Sequence, residues 1–186
     1  ITFSVIFFAF GFEQVVNRSS GVEKRILLAP VSKKILLVSN ILRSIIVTSV
    51  GYFFIQMLGI FVYNLPFDYM NFISSYAFFL LLNILLLIFA SAIYSFFKEM
   101  KIALVFSIVI FQFVMFTGGF ALPIEIMPKF VQMIAYLNPL YHMNQLFIAI
   151  WNNQLHFDTD TFLSLGYALF LLIISYLIIQ RQRKTV

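Results

Sequence analysis

The sequence predicts an all-α protein, a polytopic transmembrane helical bundle, and three observations predict it. Of 186 residues, 62% are hydrophobic and 10% charged, against about half and a quarter in a soluble domain. Too little polar surface is left to cover that apolar content in water, so lipid must serve as much of the solvent. Second, four uncharged apolar stretches each reach about 20 residues, the length of a helix that crosses the hydrocarbon core. Third, the Lys and Arg residues gather in alternate connections, as they do when one side of a membrane holds them. The strand alternation of a barrel is absent, and in lipid a helix closes its own backbone bonds.

The elements follow in order. Residues 1–12 form an uncharged run beginning with Ile1; at about 18 Å it is too short to span. It reads as the tail of a span whose beginning is absent, and the basic leader of a signal peptide is not there. Residues 44–63 form the first full span, with Thr48 and Gln56 as its main polar residues, and 75–97 the second, with Asn83, Ser91 and Ser95. Residues 102–122 form the third, with Gln112 and Thr117, and 162–180 the fourth. Gly51, Gly59, Ala90 and Ser91 mark close helix packing, and the polar residues hydrogen-bond between helices or face a pathway.

Alternating crossings put Arg18, Lys24, Arg25, Lys33, Lys34, Arg43, Lys98, Lys101, Arg181, Arg183 and Lys184 on one side, 11 of the 12 Lys and Arg residues. That side is cytoplasmic by the positive-inside rule, and the C-terminus lies there. Lys129 falls on the other side with Asp68, Glu125, Asp158 and Asp160. Tyr63, Tyr69, Tyr76, Tyr136, Tyr141 and Trp151 suit an aromatic belt at that outer face. His142 and His156, 14 apart, read there as lone surface or interfacial histidines, since the spacing fits no compact metal motif.

Residues 129–151 are apolar enough to cross, but a crossing would carry Arg181, Arg183 and Lys184 outside. Asn138-Pro139 removes a backbone donor and disfavours helix before it, and Gly118, Gly119, Pro123 and Pro128 lie upstream. Residues 118–157 therefore read as an outer re-entrant or interfacial region of short, broken helices, with a plain outer loop as the blander alternative. Such backbone survives at membrane depth only when buried in protein or lining a cavity. Glu125 there either shapes an exit gate or stands as a solvated or capping carboxylate.

On the cytoplasmic side, residues 13–34 stand out. Ser20 and Glu23 have capping-box spacing. The helix they open runs through Lys24, Arg25, Ile26, Leu27 and Leu28 and stops at Pro30. A second helix starts near Ser32 and leads into the first full span. The segment is either a basic loop resting on anionic headgroups or a rigid docking element for a cytoplasmic protein.

The pattern Arg18, Gly21, Glu23, Leu27, Leu28, Pro30 resembles the coupling-helix signature of type-2 ABC exporter permeases. The run Gly118-Gly119, Leu122-Pro123-Ile124-Glu125-Ile126-Met127-Pro128 and Leu137-Asn138-Pro139-Leu140-Tyr141-His142 resembles the outer re-entrant region before that family's sixth span. The resemblance covers essentially the whole chain, as one membrane domain over 1–186 that starts within the family's second span. It departs where a Gly-Lys pair often enters the third span and Ser39-Asn40 stands here. The resemblance implies that Arg18, Gly21, Glu23, Lys24, Arg25, Leu27, Leu28 and Pro30 couple the chain to a separate ABC ATPase subunit, which binds ATP and Mg. It also implies a second permease copy or paralogue, export through the plasma membrane by alternating access, and an outer gate near Gly118, Gly119, Pro123, Glu125, Pro128, Asn138 and Pro139.

The chain itself has no G-x-x-x-x-G-K-[ST] phosphate loop and no Cys. No catalytic residues, metal site, bound cofactor or nucleic-acid partner are expected of it. None of the four spans carries Asp, Glu, Lys, Arg or His, whereas ion-coupled carriers place ionisable groups at mid-depth despite a cost of about 2.5–3.5 kcal/mol. Self-powered transport and intramembrane acid–base chemistry are thereby disfavoured. Gln56, Asn83 and Gln112 are the candidate polar contacts of a pathway, which suits an apolar or amphipathic substrate such as a drug, lipid, glycolipid or peptide. The alternative is a membrane-embedded immunity protein that binds a toxin without turnover, and an ATPase in the neighbouring reading frame separates the two.

Overall fold

The computed structural model describes residues 2–26, 28, 33–65, 67–120, 122–154 and 158–183. Among them the regular structure is entirely helical. In chain order come α1 (Thr2–Ser4), a π-helical stretch (Val5–Phe12), α2 (Glu13–Ser19), α3 (Val22–Ile26), α4 (Lys33–Tyr63) and α5 (Tyr69–Tyr94). Then follow α6 (Met100–Thr117), a 3-10 turn (Ile124–Ile126), α7 (Lys129–Leu137), α8 (Pro139–Trp151) and α9 (Thr159–Arg183). Four of these helices, α4, α5, α6 and α9, are long and apolar enough to cross a membrane, as the sequence predicts, and the protein is a multi-pass membrane protein.

The helix expected to start near Ser32 and lead into the span at Ser44 is one continuous element, α4, from Lys33 to Tyr63. No Gly or Pro interrupts residues 33–43, so α4 continues back through them to 31 residues, about 46 Å at 1.5 Å per residue. A hydrocarbon core of about 30 Å leaves about 11 residues over, which is the stretch ending at Arg43.

Asp and Asn side chains settle where helices begin and end. Asp68 opens α5: its Oδ1 accepts from Met70 N at 3.2 Å while its carbonyl accepts from Phe72 N. Asp158 opens α9 in the same way, Oδ1 accepting from Thr161 N at 3.0 Å. A carboxylate there satisfies an orphan N–H and suits the positive end of the helix dipole. At the other ends, Asn64 after α4 and Asn153 after α8 take positive φ, 51° and 54°. They let Leu65 N reach Gly59 O and Gln154 N reach Ala149 O, closing the last turns.

The chain forms two compact units, Ile1–Phe67 with Leu86–Ser107, and Asp68–Leu85 with Ile108–Val186. In the first, Ile6, Phe7, Phe10 and Val15 are buried, as are Leu87, Ala90, Ala92, Tyr94 and Ala103. Tyr94, fully buried at 0% exposure, is the hub. Phe7 meets it edge-on at 5.9 Å between ring centroids, and Phe97 and Phe106 each lie at 5.8 Å. Its hydroxyl bonds Ser107 Oγ. Gly11, in the π-helical stretch, sits over the ring so closely that an added Cβ would lie 2.5 Å from it. In the second unit α8 packs along α9 and α7 packs on α8, around a small core of Ile124, Ala135 and Tyr141 with Met127 against it.

Gly11→Val forces two methyl groups and a Cβ into the Tyr94 ring and is expected to destabilise the detergent-solubilised protein by about 1–3 kcal/mol. Gly166→Ala, where nothing lies within 4 Å, serves as the control and is expected to leave the melting temperature unchanged within about 0.5 kcal/mol. Paired thermal melts check both.

Candidate functional site

The first candidate region surrounds α3. Helix α2 ends at Ser20, and Gly21 takes φ 74°, the left-handed turn that glycine makes without a Cβ penalty. The turn re-aims the chain, and the Gly21 carbonyl accepts the first bond of α3 from Arg25 N at 3.1 Å. Ser20 Oγ, the hydroxyl of the expected capping box, donates back to Val16 O at 2.7 Å. Arg25 is exposed, and the turn after α3 leaves Leu28 88% exposed. Leu27 and Pro30 lie outside the described residues, as do the side chains of Glu23 and Lys24, which belong to α3.

Arg18 has a clear position. Its Nη2 donates to Tyr94 O at 2.8 Å and its Nη1 to Ser95 O at 3.5 Å, while Nε turns back to Gln14 O at 3.2 Å. A guanidinium therefore caps the last carbonyls of α5, where the helix dipole favours a cation by about 0.3–1 kcal/mol at an exposed site. Two more contacts extend this link. Ser91 Oγ donates to Gln14 Oε1 at 3.4 Å, and Arg43 of α4 forms an ion pair with Glu13. The sequence carries no sign of this group, because Arg43 lies 30 positions from Glu13 and Arg18 lies 76 and 77 positions from Tyr94 and Ser95.

The second region follows α6, and its breaks are held by side chains. Gly119 takes φ 70°. Gly118 O accepts from Asn144 Nδ2 at 3.2 Å. Pro123 stands at the start of the 3-10 turn and Pro128 at the start of α7. Gln132 Nε2 donates to the carbonyls of Glu125 at 3.2 Å and Met127 at 2.8 Å. Asn138, buried, separates α7 from α8: its Oδ1 accepts from Leu140 N at 3.0 Å and its Nδ2 donates to Thr117 Oγ1 at 2.8 Å. Pro139 occupies the first turn of α8, where a missing N–H costs nothing. The Glu125 side chain is exposed and lines an open cavity of about 230 Å³ with Gly119, Phe120, Pro123, Gln145 and Ile148. That volume is below the about 300–1,000 Å³ of drug-sized sites.

Burial pushes the Tyr141 phenol above its ordinary value; Tyr136, Glu125 and Asp160 push the same way and a bond to Gln145 opposes them. Tyr141 thus stays protonated, a hydrogen-bond donor, across physiological pH. His142, expected as a lone surface or interfacial histidine, is only 6% exposed and has partners. Its Nε2 meets Tyr136 O at 2.8 Å, its Nδ1 meets Ser164 Oγ at 3.4 Å, and its ring stacks on Tyr167 at 4.4 Å. His156 lies outside the described residues.

The three polar residues of the spans divide. Gln56 is buried and donates to Tyr52 OH at 2.9 Å. Asn83, 0% exposed, donates to Phe79 O at 2.8 Å, and its Oδ1 meets no acceptor-seeking group among the described residues. Gln112 is exposed on α6. Among the described residues no group of three His, Cys, Asp or Glu side chains is arranged to hold a metal ion.

Asn138→Ala removes both the cap on Leu140 N and the bond to Thr117, and is expected to cost about 1–2 kcal/mol of stability. Asn138→Asp keeps the accepting oxygen but loses the donor, and is expected to recover part of that loss. Unfolding midpoints of the two variants in one detergent check the order.

No curated protein and no solved structure matches the chain. The family model of the ABC-2 type transporter matches residues 1–151, which include α1 to α8 and both regions just described. That domain is a membrane permease without an ATPase site of its own. The chain is a member of the ABC-2 type transporter family, and residues 1–151 carry its membrane domain.

Proposed function

We infer that the protein is the permease of an ATP-driven exporter that moves an apolar or amphipathic substrate, such as a drug, lipid, glycolipid or peptide, outward across the plasma membrane. Its motor is a separate ABC ATPase subunit, which holds ATP and Mg. A second permease copy or a paralogue completes the pathway, a reading that the family membership supports. The Arg-bearing connections and the C-terminus face the cytoplasm.

The observation that supports this reading is the bond from Arg18 to the end of α5. Residues 13–34 form the coupling segment, and the docking contact runs from Glu23 to Pro30, with exposed Leu28 and Arg25 as its described apolar and basic parts. An ATPase that closes on nucleotide displaces α3. Helix α2 moves with it through the turn at Gly21, and Arg18 passes the displacement to Tyr94 and Ser95. The span α5 then tilts as a rigid helix. Residues 118–157, from Gly118 and Gly119 through Glu125 to Asn138 and Pro139, act as the outer gate that opens in response. The family membership supports the partner assignment, and the uncharged spans support a substrate carried largely by apolar contact.

The test is transport into inside-out vesicles that hold the permease and the ATPase from the neighbouring reading frame. Glu23→Lys is expected to lower transport by at least tenfold while membrane insertion stays intact. Arg18→Gln is expected to leave nucleotide hydrolysis in place and to cut transport severalfold. Normal transport by Glu23→Lys would remove Glu23 from coupling, and normal transport by Arg18→Gln would remove the link to α5.

A further inference from the structure

The open cavity after α6 has walls of two kinds. Phe120, Leu122, Ile124 and Ile148 are apolar, whereas Glu125 and Gln145 are polar. Among the described residues the Glu125 carboxylate enters no ion pair and no side-chain hydrogen bond; Gln132 reaches only its backbone carbonyl. Lys129, the cation nearest in sequence, is exposed and forms no ion pair with it. Gln145 is bonded to Tyr141, and the charges of Glu125 and Asp160 both act on that phenol. The connections that the sequence places on this side repeat the sign, with Asp68, Asp158 and Asp160 against Lys129. Charge of one sign beside apolar walls draws in ions of the other.

We propose that this cavity binds the primary ammonium head of an amphiphilic amine, whose tail leaves along the apolar side chains at the mouth. A primary ammonium carries three hydrogens to donate, and the Glu125 carboxylate and the Gln145 amide oxygen are the acceptors that line the cavity. The Phe120 ring adds a surface that attracts a cation within about 6 Å of its centre. An exposed carboxylate alone holds an amine weakly. Apolar walls that keep water from one side of the pair lower the local dielectric and strengthen it. The size sets how much of the ligand enters. About 230 Å³ is short of the about 300–1,000 Å³ that encloses a drug-sized molecule, so the head enters and the tail stays out. Phe120, Leu122 and Ile148 are exposed and give that tail an apolar track.

Other ligand classes fit less well. A divalent cation takes several oxygen ligands, and among the described residues no three carboxylates or imidazoles gather here. A neutral apolar ligand would strip water from Glu125 and return no hydrogen bond. An anion would meet the wrong sign. An alkylammonium can reach this site as carried cargo or as the headgroup of an amine lipid in the outer leaflet, and the chemistry of recognition is shared. The inference rests on the transport reading only for the role of the ligand as cargo. Binding is measured without the ATPase, so failure of the site and failure of the coupling are read separately.

Photo-crosslinking of the full chain in phosphatidylglycerol nanodiscs, which contain no amine, tests it. The probe is dodecylammonium with a diazirine close to its head, and labelled peptides are mapped by mass spectrometry. Labelling within residues 118–151 is expected to fall at least fivefold in Glu125→Gln and to stay unchanged in Glu99→Gln, which removes the same charge at the start of α6. In the native protein, unlabelled dodecylammonium is expected to displace the probe and dodecanol is not, a comparison that needs no variant. Adding phosphatidylethanolamine then assigns the source: suppression of the label makes the head a lipid's, and an unchanged label makes it a free amine's, each in keeping with the proposal. Equal labelling of the native protein and Glu125→Gln, or equal displacement by the amine and the alcohol, would overturn it.

Discussion

Lipid offers the backbone no hydrogen-bond partner, and that constraint reaches the side chains as well as the main chain. The small polar residues of the long helices mostly turn back on their own helix. Thr48 Oγ1 donates to Ser44 O, Ser75 Oγ to Asn71 O, Ser107 Oγ to Ala103 O, Thr117 Oγ1 to Phe113 O and Ser175 Oγ to Leu171 O. Each of these hydroxyls is satisfied one turn back. A polar side chain in a span can therefore be satisfied on its own helix, and where a second partner comes from elsewhere, as Tyr94 does for Ser107 and Asn138 for Thr117, it adds to that bond. Gln56 and Asn83 follow the same habit, bonding Tyr52 and Phe79 four residues earlier. Asn83 fits it only half-way, since its Oδ1 is buried without a partner among the described residues, and that separates it from Gln56 as a pathway candidate.

The same constraint makes the region after α6 expensive unless every break is answered. A helix stopped in an apolar setting leaves orphan carbonyls and N–H groups worth about 1–3 kcal/mol each. Here Gln132, Asn138 and Asn144 each reach across a break to a carbonyl, an N–H or Thr117. Three amide side chains thus do for the irregular segment what regular helix does elsewhere. The consequence is a defined piece of structure rather than a floppy connection.

Much of this was legible in the sequence where one residue decides the outcome locally. Uncharged runs mark the spans, and Asn138-Pro139 marks the break between α7 and α8. Where a distant partner decides, the sequence is silent. The backward bond from Ser20 Oγ to Val16 O and the left-handed turn at Gly21 that opens α3 are not written in the capping-box pattern. His142 reads as a lone surface group because Ser164 and Tyr167 are 22 and 25 positions away. The packing of Gly11 on Tyr94 carries no signal at all, since a glycine in an apolar run looks the same with or without a ring above it.

Tyr94 shows how local and distant rules combine. Gly11 and Arg18 sit seven residues apart on consecutive helical segments, and both reach this one residue, Gly11 at its ring and Arg18 at its carbonyl. The two contacts differ in kind. The ring contact is close-packed and buried, so it resists displacement as protein interiors do. The carbonyl contact is a charge-assisted bond near solvent, about 0.3–1 kcal/mol, too weak to be a stability device. Its worth is directional: it fixes where α2 meets α5 while leaving the joint free to adjust. A stiff contact at one point and a compliant one two turns away define a lever, with Gly11 over Tyr94 as its fulcrum. In the proposed coupling, a displacement arriving at α3 tilts α5, because slipping past it would require the Tyr94 ring to leave its packed site.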